Sequence, residues 1–272
     1  MFSFLQSVAG VTFDKSVIPP TDYFISNENI KKALVIILLL QHNLPVLVMG
    51  ETGIGKTALF SYVASVLNLK MHRFNVHAGT KRHEIEQWLQ SFIPVHGLSK
   101  QPEPLEHTLL YFDQINLCNS MDIFKDVLCE RTLNGYPLPD TLKIVTTCSP
   151  YRLKDSNNIS SGLQQAPPKV CSSQRCMLRQ LVYRVYTMPE SLMLHVMQFG
   201  STKQETIEKY IRAIMAAELD PYLLETMQVH LNQFIVMMYH SQEFVRKLLE
   251  ESAVSLRDVK RCVQLFQWFV KH

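Results

Sequence analysis

The chain has 272 residues, of which 47% are hydrophobic and 19% charged, and its formal net charge is +3. This composition predicts a folded protein with a large core in one or two domains. The charge is too small to favour a nucleic acid or an anionic membrane as the partner, and the strongest apolar run, residues 33–40, is far shorter than the ~20 residues that span a bilayer.

Cysteine usage and the N-terminus predict where the protein resides. Six cysteines occur without a C-x-x-C pair, and we interpret them as reduced cytosolic thiols, at positions 118, 129, 148, 171, 176 and 262. Residues 1–10 carry no basic flank and only a broken apolar run, so a signal peptide is not expected. The sequence therefore predicts a soluble, cytoplasmic protein without a membrane span.

The first part of the chain alternates between strand and helix patterns. Residues 27–29 can cap a first helix over about residues 30–41. Short apolar runs predict five strands, at residues 45–49, 73–76, 108–112, 143–148 and 181–186. Apolar residues at helical spacing predict helices at residues 57–69, 84–92 and 122–133, the last closed by the Asn-Gly pair at 134–135. Polar stretches at residues 94–106 and 151–176 indicate loops.

The second part of the chain shows only helical patterns. Beyond Pro189 they predict helices at residues 209–219, 222–238, 242–249 and 256–270. Strands that alternate with helices are typical of an α/β fold with a parallel sheet. We therefore expect a lead-in over residues 1–29, an α/β domain over 30–187, and an all-helical lid over 188–272.

The strongest functional signal is a glycine-rich pattern, G-x-x-x-x-G-K-[ST], directly behind the first predicted strand. Its eight residues are Gly50, Glu51, Thr52, Gly53, Ile54, Gly55, Lys56 and Thr57. Glycines let such a loop turn tightly, so that backbone N–H groups and the following helix N-terminus face phosphate oxygens. Lys56 is expected to reach the β- and γ-phosphates of ATP, and the Thr57 hydroxyl to bind Mg²⁺.

A second magnesium ligand is expected at Asp113, which follows the apolar strand predicted at residues 108–112. The alternative is a surface aspartate at the tip of an ordinary core strand. Gln114 comes next, at the position where a carboxylate often handles the attacking water. A carboxamide orients water but cannot take its proton, so slow hydrolysis is expected unless another carboxylate acts as the base. Glu51 is the nearest candidate in the sequence.

Several further motifs occur in one order and resemble a single family, mysterin, the giant RING-finger ubiquitin ligase with a dynein-like AAA+ core. Besides the glycine-rich loop, these motifs are residues 75–80, 112–116, 130–135, 137–140, 149–152, 181–185 and 254–259. The resemblance is to a nucleotide-binding AAA+ module and covers roughly residues 25–272. It implies an AAA+ P-loop NTPase sandwich of three layers followed by a helical lid, with neighbouring AAA+ modules as partners.

The resemblance also implies roles for single residues. Lys56 and Thr57 match the phosphate-loop lysine and hydroxyl, and Asp113 matches the magnesium-holding aspartate. Two positions that handle water depart from the family: Gln114 stands in place of the catalytic glutamate, and Ser149 in place of the usual asparagine of the sensor strand. Serine is shorter than asparagine, so its reach to the γ-phosphate or the water is reduced.

Two arginines and the lack of a zinc-binding pattern also bear on the resemblance. Arg257 matches the lid arginine that contacts the γ-phosphate, the alternative being a helix-surface arginine. Arg131 is either a finger toward a neighbouring module's nucleotide or a structural ion-pair residue. The sequence holds no cysteine-histidine array that would bind two zinc ions, so ubiquitin transfer would need elements outside this chain.

The leading hypothesis from the sequence is an ATP-binding AAA+ module that acts as a nucleotide-gated switch in a mysterin-like assembly and hydrolyses ATP poorly. ATP held by Lys56 and Arg257 would draw the α/β part and the lid together. One alternative is a working ATPase motor in which another base substitutes for Gln114. The other alternative is an interaction scaffold with a vestigial nucleotide site.

Overall fold

A computed structural model describes residues 26–93, 107–152, 181, 183–200, 204–248 and 254–271. Most of the expected N-terminal lead-in lies outside the described residues, as do the loop predicted at residues 94–106 and most of the one predicted at residues 151–176. Within the described ranges, none of the helices is both long and apolar enough to cross a bilayer.

A five-stranded sheet forms the centre of the first domain. The strands of the chain are β1 (Leu47–Met49), β2 (Lys70–Asn75), β3 (Thr108–Asp113), β4 (Thr132–Leu133), β5 (Tyr136–Pro137), β6 (Leu142–Cys148) and β7 (Val196–Gln198). The large sheet has the order β2-β3-β6-β1-β7, and each neighbouring pair is parallel. Because all five strands point the same way, their carboxyl ends meet at one edge, where open α/β sheets bind their ligands.

Helices cover both faces of this sheet and build the lid. They are α1 (Asn27–Gln41), α2 (Lys56–Val66), α3 (Arg82–Gln90), α4 (Met121–Leu128), α5 (Glu190–Met193), α6 (Gln204–Glu218), α7 (Pro221–Thr226), α8 (Leu231–Leu248) and α9 (Leu256–Lys271). A short 3₁₀ turn, Ile115–Leu117, follows β3.

Strand β3 shows how the first domain acquires two cores. Its residues from 108 to 112 are all buried, as expected of a central strand with both faces covered. Leu110 and Phe112 pack with α3 and α4 on one face, whereas Leu109 and Tyr111 pack with α1 and α2 on the other. The result is the α/β fold that the alternating pattern predicts, in the three layers that the resemblance implies.

The lid has its own core, built from helices α6, α8 and α9. Ile211, Met215 and Val263 are fully buried at its centre. The amphipathic pattern of the C-terminal half accounts for this cluster, since each helix contributes one apolar face. The predicted succession of an α/β domain and a helical lid is confirmed.

The predicted helix at residues 122–133 is wrong in its second half. Helix α4 ends at Leu128, and a small antiparallel hairpin of β4 and β5 follows. Asn134 and Gly135 form its two-residue turn, with φ values of 52° and 82°. Asn-Gly is the preferred pair for such a turn, because both positions need a positive φ. The pair therefore closes a hairpin and not a helix.

The fifth strand is not at residues 181–186, where the sequence predicted it. Strand β7 pairs with β1 instead, Leu47 opposite Val196 and Met49 opposite Gln198. Three residues, the last of them polar and exposed, are too few to show a periodic pattern. The domain division at residue 187 stays a prediction. Strand β7 lies within residues 188–272, the range predicted as an all-helical lid, so that range also contains a strand.

Several helix boundaries also differ from the predicted ones. Helix α1 begins at Asn27 with Ser26 as its N-cap, so it starts before the predicted cap. The helix predicted at residues 222–238 is two helices, α7 and α8, and α8 continues through the predicted break to Leu248. Apolar spacing is similar on both sides of the turn that separates α7 from α8, so periodicity alone does not locate it.

Candidate functional site

The glycine-rich loop connects β1 to α2 at the carboxyl edge of the sheet. Gly53 and Gly55 have φ values of 78° and 94°, a region that favours glycine. A Cβ atom on Gly50 would lie 2.7 Å from Ile54 Cδ1 and 2.8 Å from Phe199 Cβ. The loop therefore needs glycine for its backbone angles at two positions and for close packing at a third.

Lys56 opens helix α2 and is almost completely buried, with 8% of its surface exposed. Its Nζ donates hydrogen bonds to the carbonyl oxygens of Gly50, at 2.6 Å, and Glu51, at 2.7 Å. Burial lowers the pKa of Lys56 to about 8, against the attraction of Asp113 and other groups. An ammonium group has three N–H donors, so one remains for an anion in front of the helix N-terminus.

Asp113 lies beside the loop and is the centre of a hydrogen-bonded cluster. Its Oδ1 accepts from the Tyr111 hydroxyl at 2.8 Å and from the Thr147 hydroxyl at 2.7 Å. Its Oδ2 forms an ion pair with Arg73. Burial opposes the charge of Asp113, but these donors outweigh it and hold the pKa of Asp113 below its usual value. The carboxylate is therefore ionised at neutral pH.

Tyr111 is a site residue that the sequence analysis missed. Its hydroxyl lies 3.1 Å from Thr57 Oγ1 as well as 2.8 Å from Asp113 Oδ1, so it joins the two predicted magnesium ligands. Burial raises the pKa of Tyr111 to about 12, so it stays a neutral donor. The available signal was a side chain with a hydroxyl group two residues before Asp113, on the same face of a strand.

Magnesium fits this donor set. Thr57 and Asp113 supply a hydroxyl and a carboxylate oxygen, the hard oxygen donors that Mg²⁺ prefers. Thr57 Oγ1 and Asp113 Oδ1 both lie within hydrogen-bond distance of the Tyr111 hydroxyl, so the Thr57 hydroxyl and the Asp113 carboxylate lie close together.

A cavity of about 260 Å³ lies between the loop and the lid. From the α/β domain it is lined by Thr52, Gly53, Gly55, Lys56, Thr57, Ala58, Asp113 and Gln114. From the lid it is lined by Tyr210, Ile214, Leu256, Arg257 and Lys260. Most of the predicted site residues thus surround one cavity, including Arg257, which is distant from the others in the sequence.

Gln114 reaches this cavity in an unusual backbone conformation. Its φ is 61°, and its backbone N–H donates to the Thr147 hydroxyl at 3.0 Å, the same hydroxyl that donates to Asp113. The structure thus ties the positions of Gln114 and Asp113 together through Thr147. Gln114 is thus a residue of the cavity wall whose side chain is a carboxamide and not a carboxylate.

Gly50, Glu51, Ile54 and Ser149 were predicted as site residues but do not line the cavity. Ser149 is 1% exposed, and its backbone exchanges two hydrogen bonds with the Asn116 side chain, at 2.8 and 3.0 Å. The Glu51 carboxylate accepts from the Tyr183 hydroxyl and pairs with Arg152 at 3.5 Å. Glu51 is therefore engaged away from the cavity, which disfavours it as a substitute base.

Arg131 has contacts that favour a structural role. Its guanidinium donates to the backbone oxygens of Leu142 and Pro139, each at 3.0 Å, and so ties the hairpin to β6. Burial lowers the pKa of Arg131 from its ordinary value, opposed by the charge of Asp140. Of the two roles that the sequence left open, the structural one agrees with these contacts, although carbonyl oxygens and not a carboxylate accept its hydrogen bonds.

The fold and the site together define the class of protein. A parallel sheet in the order β2-β3-β6-β1-β7 carries a glycine-rich loop after β1 and an acidic residue at the end of β3. A helical lid then closes over the loop, so that a Cβ atom on Gly53 would collide with the Ser255 side chain. This combination is an AAA+ module.

Comparisons with known proteins identify the family. The model of the RNF213 AAA domain matches residues 23–152. The E3 ubiquitin-protein ligases RNF213 of Homo sapiens and Mus musculus are each 33% identical over 93% of this chain. The ligase rnf213-beta of Danio rerio is 31% identical over 93%. The chain belongs to the RNF213, or mysterin, family and spans about 5% of the length of these curated relatives.

Solved structures resemble the chain more distantly. The RuvB Holliday junction branch migration motor of Thermotoga maritima aligns with 73% of this chain and 54% of its own, with a TM-score of 0.42 and 15% identity. A putative ATPase from Cytophaga hutchinsonii aligns with 78% and 54%, with a TM-score of 0.42 and 13% identity. Neither similarity is high enough to carry an argument about function.

Proposed function

We propose that the chain is an ATP-binding AAA+ module, a nucleotide-gated switch with weak hydrolysis, that works within a larger RNF213-type ligase beside neighbouring AAA+ modules. The observation that carries this proposal is the shared cavity. Its walls are the glycine-rich loop on one side and the lid residues Arg257 and Lys260 on the other. A ligand in it would touch both domains at once.

The α/β wall supplies the groups that recognise phosphate. Backbone N–H groups of the loop and the N-terminus of α2 offer a positive potential. Lys56 adds a buried ammonium with one N–H directed to the ligand. Thr57 and Asp113 would hold Mg²⁺, which when bound neutralises phosphate charge.

The lid wall supplies the cations that would close the lid over a bound nucleotide. Arg257 is exposed in the first turn of α9, one turn before Lys260, so the two cations lie on the same helical face. A γ-phosphate that contacts Arg257 would be bridged to the loop through Lys56. Binding energy from both walls then favours a closed arrangement of loop and lid over an open one.

Weak hydrolysis follows from the groups around the attacking water. Gln114 lines the cavity but has no carboxylate to accept the proton. Ser149 is buried and lies outside the cavity wall. Glu51 is held by Arg152 and Tyr183. Among the described residues at the cavity, Asp113 is the one carboxylate, and it is occupied with three donors.

The test is a Mg-ATP titration followed by a phosphate-release assay on the 272-residue chain and its Gln114→Glu variant. Binding without turnover in the natural chain, with phosphate release appearing in Gln114→Glu, is the expected result. Brisk turnover that disappears in Lys56→Ala would overturn weak hydrolysis and favour an ATPase motor. An absence of ATP binding would overturn the whole proposal and favour a scaffold with a vestigial site.

A further inference from the structure

Arg73 is a second cation at the predicted magnesium site, and the sequence patterns give it no role. It lies on β2 directly opposite Tyr111 of β3. Its guanidinium pairs with Asp113 Oδ2, and its Cζ lies 5.6 Å from the centre of the Tyr111 ring. Arg73 is thus held against Asp113 by a charge pair and an aromatic contact.

The hydrogen bonds of Asp113 leave Oδ2 as the oxygen available to a metal. A carboxylate oxygen has two lone pairs, and those of Oδ1 accept from the hydroxyls of Tyr111 and Thr147. Oδ2 accepts from Arg73. A divalent cation, or a water molecule that it carries, must therefore meet Asp113 on the oxygen that Arg73 already contacts.

A divalent cation bound at Oδ2 would also be repelled by the Arg73 guanidinium, which contacts the same oxygen. The Arg73 guanidinium brings its positive charge directly to the Asp113 carboxylate. The Arg73 side chain is 39% exposed, so it has solvent to move into when it leaves the carboxylate. Oδ2 keeps one lone pair beside Arg73, so a metal would either share this oxygen with the guanidinium against their repulsion or displace the guanidinium. Either way, part of the free energy that magnesium would otherwise add to nucleotide binding is lost.

We propose that Arg73 competes with the divalent cation for Asp113, so that magnesium strengthens nucleotide binding less than the ligand set of Thr57 and Asp113 would allow. This inference rests on the proposed nucleotide site. Arg73 is a positioning residue that acts through Asp113, and its removal strengthens magnesium-dependent binding. A purely structural arginine would not change the response to magnesium.

The experiment compares ATP binding in excess Mg²⁺ with ATP binding in EDTA, by calorimetry on the full chain. The measured quantity is the ratio of the two Kd values, EDTA over Mg²⁺. We expect this ratio to rise about tenfold in Arg73→Ala and in the longer neutral variant Arg73→Gln. It should stay near the natural value in Arg73→Lys, which keeps the charge.

Arg82→Ala is the matched control. Arg82 is also 39% exposed and also forms ion pairs, with Glu86 and Asp122, but unlike Asp113 these partners do not line the cavity. Its removal should leave the ratio unchanged. A thermal melt of each variant without nucleotide verifies that it is folded, and Arg73→Gln, which keeps most of the aliphatic length, serves if Arg73→Ala does not fold.

One result would overturn the inference while leaving the proposed function intact: an unchanged ratio in both Arg73→Ala and Arg73→Gln. If both Kd values rise by the same factor in these variants, Arg73 is a direct nucleotide contact. If neither Kd value changes, Arg73 has no part in nucleotide binding. If the natural chain binds no ATP under either condition, the proposed function itself fails and this inference falls with it.

Discussion

The two walls of the cavity are built in opposite ways. On the α/β side, Lys56, Asp113 and Tyr111 are held in a dense set of hydrogen bonds, and Tyr111 is fully buried. On the lid side, Arg257 is exposed, and α8 buries only Ile235 and Gln242 of its 18 residues. The first wall is organised before any ligand arrives, whereas the second has little packing to resist movement. Binding groups on the rigid wall should therefore determine affinity, and those on the lid should determine closure.

The largest expected effect is on the rigid wall. Lys56→Ala removes a buried ammonium that faces the ligand, and we expect ATP affinity to fall about a hundredfold or more, since a charged hydrogen bond contributes up to about 3 kcal/mol. Calorimetric titration and the thermal shift with Mg-ATP both measure this loss. Lys247→Ala, which removes an ion pair with Glu243 on α8, is the control and should bind normally. Equal ATP affinity in the two variants would mean that Lys56 on the rigid wall does not determine affinity.

A smaller effect is expected from the lid. Arg257→Ala should weaken ATP binding about tenfold, because an exposed cation contributes less than a buried one. The same variant should abolish the protection of the lid from proteases that ATP confers on the natural chain. Arg261→Ala, on the same helix and paired with Asp258, is the control and should retain both affinity and protection. If Arg257→Ala keeps full protection, the lid does not close through this residue.

Tyr111→Phe tests how strongly the rigid wall is organised. The substitution keeps the buried ring and removes the hydroxyl between Thr57 and Asp113, so the free energy of unfolding should fall by about 1–2 kcal/mol. Urea denaturation without nucleotide measures it. Tyr62→Phe is the control, a buried tyrosine of α2 outside the cluster, expected to change stability by less than about 0.5 kcal/mol. Similar losses in both would mean that the cluster adds no stability of its own.

The smallest effect is a proton taken up on binding. Burial lowers the pKa of Lys56 to about 8, and phosphate beside the ammonium would raise it again. Between pH 8 and the ordinary lysine value of 10.5, ATP binding should therefore take up protons, and affinity should decline as pH rises above 8. Calorimetry at pH 9 in two buffers with different ionisation enthalpies counts these protons. Lys56→Arg, which stays charged, should take up fewer; equal uptake would assign the proton to another group.

Local sequence patterns were sufficient for the glycine-rich loop and Asp113 of the rigid wall and for most of the helical content of the lid. The glycine spacing, the apolar strand before Asp113 and the helical periodicity of the C-terminal half are features of neighbouring residues, and each predicted its element. The Asn-Gly pair at residues 134–135 carried an equally local signal, for a hairpin, but was interpreted as a helix end. Helical spacing and turn chemistry conflict at this point of the chain, and turn chemistry determines the structure.

The tertiary structure decided what depends on distant residues. Strand β7 is too short to be recognised and exists because it pairs with β1. Arg73 meets Asp113, and Tyr111 meets Thr57, only because β2, β3 and α2 lie side by side. The burial of Ser149 and the approach of Arg257 to the loop are likewise results of packing. The sequence by itself determined which chemical groups this protein has. The contacts among these groups shift the pKa values of Lys56 and Asp113 and place Arg73 against Asp113, and they arise only when the chain is folded.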